Sequence, residues 1–353
     1  MTGYKLVNSL ADLNQVSLDL AGNYALGKDV DATTAPTAYV PIGTGATRFT
    51  GQFDGMGHTI ANIYVEQAVA IAPGQYAVVA SGLFGVIGTA GVVRDISVNG
   101  TGGGVGDYGI YDGILAGVNY GTIAGAHTSG RVLAISNESI RFVSGGLVGG
   151  NYGTVTRSSS DAKVSADGTL GGLVGRNFNT GVIRQSYASG VVFAYGHGAG
   201  AGGLVGTNEG LITQSYATGP VTFLPSYCGG YITPHGACTS GAAALVQSNY
   251  GTIEQSFATG KVTQIFTFAG GPPPLGIAST NNGTVANDVY WNIETTQATL
   301  GVYRGTSVPA ANGLTTAQMS TPSSFVSYDF SPTGVWAMPA GATHPILRWQ
   351  LEH

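Results

Sequence analysis

Hydrolysis of a glycosidic bond uses two carboxyl groups roughly 5 to 10 Å apart. This chain carries 18 Asp and Glu among its 353 residues from which such a pair could be drawn. Glu209 and Glu254 fall on neighbouring copies of an internal repeat but at different places in it, Glu209 before a turn Gly and Glu254 after Ile253. Asp161 and Asp167 border a variable segment, and Asp54 stands close to His58. Turn-forming or solvated carboxylates account for all of these more simply, and Asp54-Gly55 in particular reads as a turn. No Ser/His/Asp arrangement, zinc-ligand helix motif or phosphate loop is visible, and the many Gly-x-Gly strings belong to the repeat. Catalytic residues, cofactors and metal ligands are therefore assigned as none, and the sequence leans against an enzyme without excluding one.

A second set of side chains suits binding. Tyr227, Tyr231 and His235 share a Gly-rich segment with Cys228 and Cys238. A loop this short and flexible can bring two Cα atoms within bridging distance, so a Cys228–Cys238 disulfide is the reading taken. It fits an oxidising compartment. The alternative is a metal site, for which two Cys and one His leave a closed zinc site one ligand short. Tyr195 and His197 on one neighbouring variable segment, and Phe266 on another, complete the candidate ligand-binding set. Preorganised aromatic loops lose less entropy on binding; the rival reading is that these rings pack on one another to anchor long loops.

The elements that position these residues come from a repeat. An L-V-G-x-N core recurs as Leu115 to Asn119, Leu147 to Asn151, Leu173 to Asn177, Leu204 to Asn208, Leu245 to Asn249 and, degraded, Ile277 to Asn281. Each copy is followed by Gly and then Ile or Val (Ile123, Val155, Ile183, Ile212, Ile253, Val285), and most close on a further Val such as Val132, Val164, Val191, Val221 or Val262. Three short strands and two Gly-containing turns predict a coil of about 20 residues, stacked on its neighbours at about 4.8 Å. The recurrent Asn belongs in a turn, its side chain bonded to nearby backbone. Length varies only after the third strand, so the inserts Leu133 to Ser144, Ser165 to Leu170, Phe193 to Ala201, Phe223 to Ala242 and Thr263 to Leu275 share one corner. Inserts on one face are where solenoids often bind.

Composition agrees. Charged residues are 9% of the chain and Gly contributes 58 positions, which suits short strands and tight turns over helices. The expected fold class is all-β, a single-stranded parallel β-helix (solenoid) with irregular capping segments. Its 13 basic residues are scattered and the net charge is −5, which excludes a phosphate-binding stripe and hence nucleic acid as a partner. No run of 18 apolar residues and no amino-terminal signal pattern is present, so membrane insertion is not expected. Leu351-Glu352-His353 reads as a tag scar on a fragment of a longer protein. The division expected is 1–80 as amino-terminal cap and first coils, 81–292 as repeat β-helix with corner inserts, 293–350 as carboxy-terminal cap and 351–353 as the scar. Ser9 can cap a brief helix reaching Val16, and Trp336 and Trp349 are expected to cover the last coil.

The G-G-L-V-G-x-N-x-G-x-I units resemble the GLUG motif of bacterial surface proteins, notably filamentous-haemagglutinin-like exoproteins of two-partner secretion systems and some IgA-peptidase-type proteins. Phe49 to Ile60 looks like the F-x-G-x-F-D-G-x-G-H-x-I segment that often precedes these repeats. Val289-Tyr290-Trp291-Asn292 followed by Gly313 to Met319 looks like the segment that often ends them. The resemblance implies a right-handed β-helix exported to the outer cell surface and supplies no shared catalytic residues. Ala243-Ala244 replaces the usual Gly-Gly and Gln247 a usual Gly, so distortion of that coil is expected. The function expected is a secreted or surface adhesin fragment, a monomeric stalk whose loops bind a host or bacterial surface glycan or protein. The alternatives are a polysaccharide lyase or glycosidase on the same scaffold, and a structural spacer.

Overall fold

The computed structural model describes residues 3–33, 39–65, 69–70, 79–103, 110–134, 142–196, 199–225, 241–265 and 271–352. They form a parallel β-helix. One coil shows the plan: Phe142–Gly145 lies on a first face, Val148–Asn151 on a second, Thr154–Thr156 on a third, and Ser159–Ser160 with Lys163–Ala166 on a fourth. Gly168–Gly171 then returns to the first face, paired in parallel register with Phe142–Gly145. Among the described residues these faces build sheets of seven, eight, ten and fourteen strands.

The coil is therefore larger than the sequence predicts. Successive ladder Asn residues are 32, 26, 31, 41 and 32 residues apart, and that spacing is one full turn. The three-strand unit, which closes on residues such as Val164, left out the end of the fourth face and the first face. Ser165 to Leu170 is accordingly no insert, since only Asp167 separates the strands Lys163–Ala166 and Gly168–Gly171. Variation in length does fall between the fourth and first faces, where the chain runs from Ala134 to Phe142, Gly196 to Gly200 and Pro225 to Ala242.

Alternation along each strand sends every second side chain inward. Leu147, Leu173, Leu204, Leu245 and Ile277 form one fully buried column, Val155, Ile183, Ile212 and Ile253 another, and Val164, Val192, Val221 and Val262 a third, in which Val192 takes the place expected for Val191, whose side chain is exposed. Burial of each such side chain is worth about 1.5–3 kcal/mol. Gly172 tolerates no side chain, because a Cβ there would meet the Gly203 carbonyl at 2.2 Å. Gly203 holds the matching place one coil later and Ala244 fills it two coils later, and the stack continues unshifted: Ala201 pairs Ala242, Gly202 pairs Ala243, and Val205 pairs Val246. The distortion expected at Ala243-Ala244 is absent from that register.

The recurrent Asn does more than hold its turn. Asn119, Asn151, Asn177, Asn208, Asn249 and Asn281 are buried, and each of the first five donates Nδ2–H to the Oδ1 of the next at 2.8 Å. The local bond exists too, from Gly121 N–H to Asn119 Oδ1 at 3.0 Å. Asn281 ends the chain of amides by donating to the Thr306 carbonyl at 2.9 Å. A fully satisfied buried network stabilises and specifies register at once.

Both ends are closed. At the amino-terminal end Ser9 caps the helix Leu10–Gln15, accepting from Asp12 N–H, and Leu13 and Val16 are buried. At the other end Trp291 turns inward, donates to the Ala298 carbonyl at 3.0 Å, and lies so close to Gly276 that a Cβ there would sit 2.2 Å from its ring. Trp336 and Trp349 do not cover that end, contrary to expectation. Residues 313–352 fold back along the outside of the fourth face, where Trp336 is wholly buried in a second core.

Candidate functional site

The outward column at the start of the fourth face is continuous in register: Thr59, Ser97, His127, Ser159, Tyr187, Tyr216, Phe257 and Tyr290. Its carboxy-terminal half is aromatic and self-stacked, Tyr187 on Tyr216 at 5.1 Å and Tyr216 on Phe257 at 4.8 Å, with planes within 6°. That repeat is the spacing between strands. Residues 313–352 cover it. Trp336 stacks on Tyr328 at 4.6 Å, Tyr216 Oη donates to Gln350 Oε1 at 2.9 Å, and Trp349 Nε1 donates to the Gln185 carbonyl at 2.9 Å. Burial pushes the phenols of Tyr216 and Tyr328 well above their ordinary range.

The cover stops at Tyr187. One face of that ring meets Tyr216, while on the other side the column continues as Ser159 and His127, and a cleft of about 440 Å³ opens between Tyr187, Trp349, Arg157, Ser159, His127 and Asp95. Trp349 forms one wall, its ring centre 5.9 Å from that of Tyr187. The cleft is of ligand size, and its lining is mixed, with the rings of Tyr187 and Trp349 beside hydroxyl, imidazole, guanidinium and carboxylate groups.

Coil stacking brings together three residues that sequence spacing kept apart. His127 Nδ1 lies 2.9 Å from Ser159 Oγ, and His127 Nε2 lies 3.8 Å from Asp161 Oδ2. These are the residue types of a hydrolase triad, which the sequence did not show. The geometry does not complete one: 3.8 Å exceeds hydrogen-bond range, so the carboxylate does not fix the imidazole tautomer. Ser159 is only 4% exposed.

Two of the carboxylates singled out from the sequence, Asp54 and Glu209, are otherwise occupied. Asp54 pairs with Arg94 at 2.6 Å and accepts from Met56 N–H at 2.9 Å, as a turn Asp does. His58 instead faces Asp29 at 3.2 Å. Glu209 takes two donors from Arg176, and Arg176 also lies over the Phe178 ring at 4.5 Å. That ring ends a second external stack through Tyr152 to Tyr120, in which burial pushes the Tyr152 phenol up to about 12. The ring faces there are used by one another, which leaves no free platform.

Of the corner candidates, Tyr195 is described. Its hydroxyl donates to the Ala134 carbonyl at 3.2 Å and its ring sits 5.8 Å from Phe193. Burial, with Asp167 nearby, raises its pKa. Tyr195 thus anchors its loop to an earlier coil. His197, Tyr227, Tyr231, His235, Phe266 and the pair Cys228 and Cys238 lie outside the described residues. Among the described residues no group of three or more His, Cys, Asp or Glu is placed to hold a metal, and no helix is long and apolar enough to cross a membrane.

Fold and face together define a capped parallel β-helix with a polar groove on one flank. Residues 166–192, one complete coil, match the family described as the GLUG motif. The chain is similar to Halomucin of Haloquadratum walsbyi, 30% identical over 226 residues that make up 61% of this chain and 2% of that protein. It is also similar to a protein designated a Gly-rich membrane protein in Evansella cellulosilytica, 33% identical over 196 residues, 51% of this chain and 20% of the relative. The chain thus spans a fifth or less of the length of these relatives. A solved structure designated an immunoglobulin A1 protease of Bacteroides ovatus superposes with a TM-score of 0.56 at 18% identity, covering 98% of this chain and 92% of that one. Another, titled IgA1 Protease, gives 0.52 at 16% identity over 78% of this chain and 21% of its own. At these identities the likeness is one of fold.

Proposed function

We propose that this chain is the β-helical stalk of a cell-surface adhesin and that it holds a saccharide in the groove between Tyr187 and His127. One observation carries the reading: a stacked aromatic column ends at Tyr187, and Tyr187 lines a polar cleft. A sugar presents C–H bonds on its ring face and hydroxyls on its rim. The first suits the electron-rich face of Tyr187, and the second suits Ser159, His127, Arg157 and Asp95. The GLUG motif and the names of the relatives, a mucin-like name and a Gly-rich membrane protein, support a surface location in general. Export as a filamentous-haemagglutinin-like exoprotein by two-partner secretion is the narrower form of the proposal. The corner loops bearing Tyr195, His197, Tyr227, Tyr231, His235 and Phe266, stiffened by a Cys228–Cys238 disulfide, are proposed to extend the contact.

The test is a glycan array probed with the protein and with Tyr187→Ala. The expected result is retention of a defined set of glycans, weakened about tenfold or more in the variant, with no release of reducing sugar on incubation. Retention of no glycan at all refutes the adhesin reading in this form; turnover would replace it with the enzyme reading.

A further inference from the structure

The same uncovered half of the fourth face carries a second cleft, of about 550 Å³, lined by Asn62, Tyr64, Asn99, Thr101, Arg131 and Lys163 among others. It lies on the next outward positions of the strands that build the groove. His127 and Arg131 are both on the strand His127–Ala134, four residues and therefore about 13 Å apart. No single sugar spans that distance, and a short oligosaccharide does.

Arg131 and Lys163 are directly paired across adjacent coils. Like charges in that relation destabilise a sheet. Each is exposed, and neither forms an ion pair with any described residue. Around them the lining is neutral and hydrogen-bonding: Asn99 donates to Ser129 at 2.8 Å, Thr101 is half-buried, and Tyr64 is 49% exposed. The nearby acid Asp31 is occupied, accepting from Asn62 Nδ2 at 3.0 Å and from Thr33 N–H at 2.9 Å. An unneutralised cation pair in a chain of net charge −5 marks where an anion is received.

We infer that the ligand is an acidic saccharide, whose carboxylate or sulfate groups dock on Arg131 and Lys163 while a neighbouring sugar stacks on Tyr187; this rests on the saccharide reading above. The planar guanidinium of Arg131 matches a carboxylate or sulfate through two parallel N–H donors, and the Lys163 ammonium adds a point charge beside it. The interleaved Asn and Thr groups serve sugar hydroxyls, which an acidic peptide lacks.

Calorimetric titration with oligogalacturonate, its methyl ester and a sulfated oligosaccharide tests the assignment. At least one acidic oligosaccharide is expected to bind about tenfold or more tighter than the neutral ester. In Arg131→Gln/Lys163→Gln that advantage disappears while affinity for the ester is unchanged. Both side chains are exposed, so the variant folds, as circular dichroism will verify. Equal affinity for acid and ester overturns this inference and leaves the saccharide reading standing. Binding of the ester lost with Tyr187→Ala but not with the double variant separates the two sites. Polyglutamate of matched charge binding as tightly overturns the saccharide class in favour of an acidic protein. Failure of uronate and sulfated oligosaccharide alike overturns the inference outright.

Discussion

The two halves of the fourth face share one backbone plan and differ in what stands outside it. From Tyr187 to Tyr290 the outward positions are aromatic and lie under residues 313–352; from Thr59 to Ser159 they are polar and border the cleft. The register does not change at the border, since Ser159 pairs with Tyr187 as regularly as Tyr187 pairs with Tyr216. Outward side chains therefore decide the fate of a face that the coil leaves neutral. Aromatic residues recruit a cover and become a second core; hydroxyls, His127, Arg131 and Lys163 do not, and stay available to a ligand. The scaffold repeats, and its exterior is edited one coil at a time.

The largest break in that comparison comes from the cover itself. Trp336 is fully buried, stacked on Tyr328 at 4.6 Å and lying 5.7 Å from Phe257. Trp336→Ala is expected to cost about 3–5 kcal/mol, read as a lowered urea midpoint. Thr101→Ala on the open half should stay within about 0.5 kcal/mol. Comparable losses from both would show that the open half is also a packed surface.

A second measurement asks whether the interior distinguishes the halves. Asn151 serves coils beneath the open half and Asn249 coils beneath the covered one, and both make the same 2.8 Å bond to the next rung. Asn151→Ala and Asn249→Ala should each cost about 1–3 kcal/mol per buried group left unpaired. Equality of the two confirms that the contrast lies outside the coil, and a gap of more than about 1 kcal/mol would mean that the cover also sets interior stability.

What could be read from the sequence follows the same division. The Leu and Val columns were legible because they recur at fixed offsets from a Gly, and the solenoid followed from them. Asn177 was legible as a turn residue. Its bond to Asn208 was not, because that bond crosses coils and depends on a register the sequence does not print. The end of the fourth face and the start of the first were missed, since Ser165 to Leu170, which spans the ends of the strands Lys163–Ala166 and Gly168–Gly171, carries no L-V-G signature and reads as an insert. The groove was illegible for a related reason: His127, Ser159 and Tyr187 come from three coils of unequal length. A signal did exist in the Ser186-Tyr187, Ser215-Tyr216 and Ser256-Phe257 pairs, because strand alternation must put the ring outside if the Ser is inside. Ser158, Ser186, Ser215 and Ser256 are indeed fully buried, each Oγ donating to the carbonyl two residues before it. The destination of Trp336 and Trp349 could not be read, because a lid for the end and a lid for the side need the same apolar residues.

The cover should also be the pH-sensitive half. His344 lies 5.8 Å from Tyr216 and 5.6 Å from Phe257, and burial lowers its pKa from 6.5, with a bond to the Pro345 carbonyl partly opposing. A base whose folded pKa is depressed binds more protons when unfolded, so stability rises with pH between the two values. Its contribution is full above about pH 6.5 and is lost as the pH falls toward the folded pKa. Urea midpoints at pH 7.5 and 5.5 should show this loss, and His344→Gln should reduce the slope. An unchanged slope would mean that the cover does not hold His344 neutral.

The smallest expected effect sharpens the border itself. Six successive coils turn from the third to the fourth face through a residue of positive φ: Asp95 (50°), Gly125 (62°), Arg157 (47°), Gln185 (48°), Gln214 (49°) and Gln255 (41°). A non-glycine residue there costs roughly 1–2 kcal/mol, and Gly would recover part of that against its greater loss of chain entropy. Beside the cover the cost is offset, because Gln185 donates to Gln214 and Gln214 to Gln255, each at 3.0 Å. Arg157, at the open groove, has no such ladder. Arg157→Gly is therefore expected to stabilise by about 0.5 kcal/mol, whereas Gln214→Gly gives no gain because two side-chain bonds are lost with it. Urea midpoints of the two variants decide the matter. A destabilised Arg157→Gly would show that this guanidinium is held in place by the groove, as a side chain positioned in advance for a ligand would be.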